Sequence, residues 1–296
     1  MTRSKQSLRN AARAALSLLL ILILLVGCTS STKPTFKKEQ IDSIIQNICK
    51  KEFKLDIKAK ITLDTLTIYL PVEDIFVKAK TPRKITEIYK ISAIKNELKD
   101  SLFQLEYAIR SIPPKEEKDE YEINKDVLDK IRQVLRTIPR VMFSMERSDK
   151  GEYKFVSMIT ADIKTGFEII SVYYYPDLKK AIYNLISNEE YQHRSLQETN
   201  VDPRIIGDKE GRHVNYTDIK MNDFISAQIK QRIKLKFQKP ELKKNADIDK
   251  EILKIVSYVM QAYKFNDFNE VELKNLLTDY KLSLNKAAIL GRPVDF

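Results

Sequence analysis

Apolar positions along this chain change their period several times, and each change marks an element. Residues 14–27 carry no charge, and 18–25 are Leu and Ile alone. That run is short of the roughly 20 apolar residues that span a bilayer but within the range of an export-signal core. Ile41, Ile44, Ile45, Ile48, Cys49 and Phe53 then step by three or four, which predicts an amphipathic helix over 38–53 with Cys49 on its buried face. From Leu55 to Leu63 apolar and polar residues alternate, and Leu66, Ile68 and Leu70 continue the alternation past Asp64-Thr65, predicting a hairpin stopped at Pro71. Steps of three or four return at Ile91, Ile94, Leu98, Leu102, Leu105, Ile109 and Ile112, so a long helix ended by Pro113-Pro114 is expected.

Residues 115–122 are charged and nearly free of apolar side chains, and they are the expected boundary between a first unit, 38–114, and a second, 123–196. In the second unit Val127, Leu128, Ile131, Val134, Leu135 and Ile138 predict a helix capped by Asn124 or Asp126 and closed at Pro139. Strands are expected over 141–146, 154–161 and 167–175, with glycine-bearing turns at 148–151 and 164–166, and a further helix from about Asp177. Ile61-Thr62-Leu63-Asp64 and Ile159-Thr160-Ala161-Asp162 occupy equivalent places, so a helix-hairpin-helix unit used twice stands beside coincidence as the explanation. Residues 197–216 read as a long polar loop, and 217–296 as mostly helical, with apolar spacing at Met221–Ile233, Ile248–Tyr263 and Leu273–Leu284. Ile233, Leu235 and Phe237 also alternate, leaving a short strand open there. The fold class that follows is α+β: antiparallel sheet packed against long helices, then a helical C-terminal segment.

The N-terminus holds Arg3, Lys5, Arg9 and Arg13 without an acid, and the uncharged run ends in Leu25-Val26-Gly27-Cys28. This order resembles the lipobox of bacterial lipoproteins. The resemblance covers residues 1–28 and implies a signal peptide over 1–27, recognition of Leu25, Val26 and Gly27 by the lipoprotein signal peptidase, and acyl lipid on Cys28. Residues 28–37 would then be the lipidated cysteine and a short Ser/Thr tether. Two or more acyl chains anchor a protein far more firmly than one. The implied location is the cell envelope: outer membrane facing the periplasm if the cell has one, since Thr29 and not Asp follows the cysteine, and otherwise the outer face of the plasma membrane.

Composition refines this only slightly. Of 52 Lys+Arg and 41 Asp+Glu, four basic residues leave with the signal, so the mature chain would carry a net charge of about +7, well mixed along its length. Export argues against nucleic acid as a partner. With Cys28 acylated, Cys49 has no cysteine to pair with and is expected in the core.

Chemistry-bearing motifs are missing. His193 and His213 are the only imidazoles; neither sits in a metal-binding pair, and both are expected at the surface of the polar loop region. Asn245, Asp247 and Asp249 have calcium-loop spacing, but Lys250 and Val256 stand where such a loop needs Gly and Glu, so an Asp there is read as a helix N-cap. No phosphate loop, dinucleotide fingerprint or Cys-x-x-Cys pair occurs, and no cofactor or metal is expected. Tyr173-Tyr174-Tyr175 is the most distinctive cluster outside residues 25–28, a candidate contact surface or simply a strand of high β propensity. The expected role is a membrane-anchored, non-catalytic interaction or assembly factor with an envelope protein as partner. The alternatives are a binding module for a small molecule, lipid or wall glycan, and then an envelope enzyme.

Overall fold

The computed structural model describes residues 36–144, 153–238 and 246–293. The expectations for the signal peptide, for Leu25, Val26, Gly27 and Cys28, and for the tether as far as residue 35 lie outside the described residues.

Helix α1 (Ile41–Phe53) forms where the spacing predicts it, burying Ile41, Ile45 and Cys49. It is followed by the hairpin β1 (Lys58–Thr62) and β2 (Thr65–Val72). Next come two very long strands, β3 (Phe76–Lys99) and β4 (Leu102–Ile123), before helix α2 (Lys125–Met142). Strands β5 (Phe155–Asp162) and β6 (Phe167–Tyr174) make a second short hairpin. Two short helices, α3 (Tyr175–Ile182) and α4 (Asn188–Arg194), lead to β7 (Leu196–Val201). Helices α5 (Met221–Gln238) and α6 (Ile248–Ala262), the pair β8 (Glu270–Asn275) and β9 (Lys281–Asn285), and α7 (Lys286–Leu290) complete the chain.

The expected antiparallel sheet is instead a pair of mixed sheets, ordered β1-β2-β5-β6-β7 and β3-β4-β8-β9, each with one parallel junction. In the first, β2 runs parallel to β5, placing Thr65 opposite Phe155 and Val72 opposite Asp162. In the second, β4 runs parallel to β8. Every residue of β5 and all of β2 except Pro71 is buried, as expected for strands covered on both faces. Leu66, Ile68, Leu70, Val156 and Met158 face α1 and α2. The opposite face is shared: Phe155 packs on Phe224 of α5, whereas Tyr69, Ile159 and Ala161 lie under Ile205 and Val214 of the segment after β7. Each large side chain fully buried in these layers contributes about 2–3 kcal/mol of transfer free energy.

The long helix expected over 91–112 is a β-hairpin. A bulge between Ile91 and Ala93 inserts one residue, so that Tyr89, Ile91, Ile94 and Leu98 all turn toward one core with a step of three in the middle. The turn at Asp100-Ser101, both with positive φ, then separates Leu98 from Leu102 by four. Bulge and turn together reproduce helical spacing. The true period of two survives at Phe103, Leu105, Tyr107 and Ile109, all buried. Pro113-Pro114 ends no helix; the pair sits at a register shift, where a missing N–H costs no ladder bond. Residues 115–122 are not a linker but part of β4.

The helix-hairpin-helix repeat is not formed in full. α1-β1-β2 and α2-β5-β6 share an order and their hairpins join through β2 and β5, but the first leads into β3 and only the second into a helix. Pro139 lies inside α2, which runs through the start of the strand expected at 141–146; residues 145–146 lie outside the described residues. The expected loop 197–216 begins as strand β7, because each residue from Leu196 to Val201 pairs with β6. Nor is the C-terminal segment mainly helical: Leu273 and Leu284 belong to β8 and β9, their alternation interrupted by the turn that carries Leu276 and Leu277. Ile233, Leu235 and Phe237 stay in α5. Asp247 caps α6 by accepting the Lys250 amide at 3.1 Å, as its spacing suggests. Among the described residues no helix is long and apolar enough to cross a membrane.

One part of the second sheet has no core. No residue of 76–88 or 110–123 is buried, although these stretches pair with each other. Between Phe76, whose ring meets Phe167 at 4.9 Å, and Ile88, which packs on the core, they form a two-stranded ribbon with no buried residue, linking the buried part of β3 and β4 to the first sheet.

Candidate functional site

The segment from Asp202 to Lys220 is laid across the exposed end of the first sheet and sewn to it at several points. Thr65 Oγ1 donates to Asp218 Oδ1 at 3.0 Å and accepts the Ile219 amide at 2.9 Å. Thr62 Oγ1 donates to the Tyr216 carbonyl, and the Gly207 amide to that of Ile163. Gly211, at φ +68°, lets the backbone pass so close that a Cβ there would lie 3.0 Å from the Tyr69 ring and from Tyr216 Oη.

His213 is held at the centre of this cover, its side chain 6% exposed. Nδ1 lies 2.6 Å from Asp208 Oδ2, and Nε2 lies 3.2 Å from Glu168 Oε2 on β6. Tyr69 presents its ring to the imidazole at 5.5 Å, edge to face, and donates its hydroxyl to the Asp208 carbonyl. Asp208 also accepts the amides of His213 and Glu210. Burial works to raise the Asp208 carboxyl, but the bonds from His213 and from backbone amides outweigh it and hold the group down at about 2. Burial, with the charges of Asp208 and Glu168, pushes the Tyr69 phenol upward. Glu168 is fixed on its other oxygen by Asn200 at 3.2 Å.

An acid–imidazole–acid row in a loop invites a catalytic reading, but a general base needs a nitrogen free to take a proton from a substrate. Both nitrogens of His213 face carboxylates, so each already has a partner within the protein. The arrangement clamps the cover to the sheet. Above it lies a concavity of about 590 Å³ lined by Arg204, Ile206, Lys209, Glu210 and Arg212 among others. A second, of about 510 Å³, runs between β3, β7 and α5 and is lined largely by amide and charged side chains. Neither is an apolar or aromatic pocket. Among the described residues no group of three or more His, Cys, Asp or Glu is placed to hold a metal ion.

A further charged cluster is buried among α3 to α6. Asp177, 1% exposed, accepts from Arg194 Nη1 at 3.0 Å and Lys180 Nζ at 2.9 Å. Glu190 Oε1 accepts from Arg194 Nε at 2.6 Å, from Arg232 Nη2 at 3.0 Å and from the Tyr258 hydroxyl. Burial raises the Glu190 carboxyl, and the Tyr258, Arg194 and Arg232 contacts reverse that and lower it. Arg194 lies over the Tyr263 ring and Arg232 over that of Tyr258.

The candidate contact surface is taken up internally. Tyr173 stacks on Tyr191 at 6.2 Å. Tyr174 packs among Phe155, Phe224 and Tyr263. Tyr175 opens α3 with 1% exposure. Tyr173 and Tyr174 do take opposite faces of β6, but each of those faces is covered by a core, and Tyr175 lies beyond the strand end. His193 is half-buried in the last turn of α4, not on a free loop. Cys49 is buried with Sγ 3.9 Å from Thr137 Oγ1, and burial pushes its thiol upward, away from reactivity.

The sequence reading places His213 at the surface and gives no role to Tyr69, Glu168 or Asp208. The local signal was Asp208 five residues before His213 between two glycines; Glu168 lies 45 residues away on a strand, visible only once the sheet is built. Compared with known proteins, the chain matches no family, no curated protein and no solved structure.

Proposed function

We propose that this chain is an exported lipoprotein of the bacterial envelope, held to a membrane through lipid on Cys28, and that its body binds another envelope protein without catalysing a reaction. The anchor rests on Leu25-Val26-Gly27-Cys28 after an uncharged run with a basic leader. The observation that carries the binding role is the β3–β4 ribbon. A two-stranded ribbon without a buried face adds almost nothing to stability, since isolated hairpins are marginal in water. Some 13 residues of each strand, 76–88 and 110–123, are spent on it nonetheless. Its exposed Ile85 and Tyr121 offer apolar contacts within a charged frame. The His213 clamp adds to this reading, because a fixed loop with a fully engaged imidazole suits a rigid recognition body better than an acid–base centre.

The test is photocrosslinking in intact cells, with the reactive side chain placed at Ile85 or Tyr121 and, as a control, at the exposed Leu277. One dominant protein adduct from the ribbon positions and none from the control is the expected result. Ribbon positions that capture no protein would overturn the binding role.

A further inference from the structure

The body begins beside an exposed apolar group. The Phe36 amide donates to the Ser144 carbonyl at 3.2 Å, so the chain arriving from Cys28 joins the molecule at the end of α2. Next to Ser144, the Phe143 ring lies parallel to that of Tyr183, centroids 6.0 Å apart and planes 5° from each other. Tyr183 caps α3, whose last residue is Ile182, and the chain turns there through the Leu185 amide bonded to the Lys180 carbonyl. Phe143, Ile182, Tyr183 and Leu185 are 37%, 42%, 66% and 72% exposed. Single exposed apolar residues are ordinary, whereas four large ones gathered at one corner mark a contact surface.

Tether length and charge select the occupant. Eight residue steps separate Cys28 from Phe36, a reach of at most about 29 Å even when fully extended. A compact body of this size is about 46 Å across. The corner at Phe36 and Ser144 is therefore the part held nearest the lipid. The last two turns of the helices that end there are basic: Lys179 and Lys180 on the helix ending at Ile182, and the exposed Arg136 and Arg140 on the helix ending beside Phe143. Arg140 also holds Glu52, Lys180 holds Asp177, and Lys179 lies over the Tyr175 ring. An aromatic and aliphatic tip with basic flanks is the chemistry of an anionic bilayer's headgroup region. We propose that Phe143, Ile182, Tyr183 and Leu185 seat the body on an anionic phospholipid surface, fixing its orientation so that one face is always turned down. This rests on the lipoprotein reading.

The chain contains no tryptophan, so Tyr183→Trp introduces a sole reporter at an exposed site. The full lipidated protein carrying Tyr183→Trp, or Leu185→Trp as a second variant, is reconstituted into phosphatidylethanolamine–phosphatidylglycerol vesicles with brominated acyl chains. A loss of emission of about twofold relative to unbrominated vesicles is expected, for a ring lying within roughly 5–10 Å of the acyl boundary. Tyr121→Trp on the ribbon serves as the control and should be unaffected. Vesicle-bound protein with no quenching at either patch position would overturn the seating while leaving the anchor standing. Protein that does not enter vesicles and carries an unmodified Cys28 by mass spectrometry would overturn both.

Discussion

His213 brings two carboxylates from different parts of the chain to one ring, and its removal leaves both buried and facing each other. Removing one partner of such a group costs about 3–5 kcal/mol because the remaining charge is uncompensated. His213→Ala is therefore expected to lower the free energy of unfolding measured in urea by an amount in that range, and His213→Gln, which restores one donor, by distinctly less. Asp208 gives the cluster a pH signature. Its carboxyl is at about 2 in the folded protein against an ordinary value of 3.8, so the stabilisation is complete above pH about 4 and is lost as the pH falls through about 2. The shift corresponds to about 2 kcal/mol. Urea unfolding between pH 5 and pH 2 should show this slope, and Asp208→Asn should flatten it. An unchanged slope in Asp208→Asn would mean that another acid carries it.

At the scale of elements, the two long strands show how a regular signal is counterfeited. The Asp100-Ser101 turn holds two positive-φ residues that are not glycine, at 51° and 62°. Asn-Gly fits that geometry with less strain, so the double substitution Asp100→Asn, Ser101→Gly is expected to stabilise the protein by about 0.5–1 kcal/mol, read as a raised melting temperature. A helix at 91–112 would instead be destabilised by an internal Gly. What the sequence made legible was local: α1, the β1–β2 and β5–β6 hairpins, α2 with Asn124 as its cap, and α6 with Asp247. These have one period, uninterrupted, over their whole length. β3 and β4 were hidden because a bulge and a turn shift the phase in their middle, and β8–β9 because Leu276 and Leu277 fill the turn with residues that look like helix face. The His213 cluster was hidden because half of it comes from β6 through pairing, and Tyr173-Tyr174-Tyr175 reads two ways because aromatic density marks packing as readily as contact.

Across the whole molecule, protection should change within single strands. In β3 and β4 the amides of 89–98 and 102–109 lie over a core, whereas those of 79–87 and 111–122 have only each other. Hydrogen exchange followed by mass spectrometry is expected to show the outer stretches opening far more readily than the inner ones. Uniform protection along both strands would mean that something covers the ribbon. Under the proposed lipoprotein reading, Cys28→Ala should leave the chain unacylated with its apolar leader 1–27 still attached, read as the mass of the uncut chain by mass spectrometry.

The two parallel junctions also set a schedule for self-assembly. β2 at 65–72 must wait for β5 at 155–162, and β4 at 102–107 must wait for β8 at 270–275. Contacts this distant in sequence slow folding, since a long loop has to close before any of them is rewarded. As the chain grows from its amino end, the first sheet lacks its last strand until residue 201 and the second lacks its last members until the final thirty or so positions appear. A version truncated before residue 270 would keep every strand of the first sheet but be left with an orphaned β4 edge in the second.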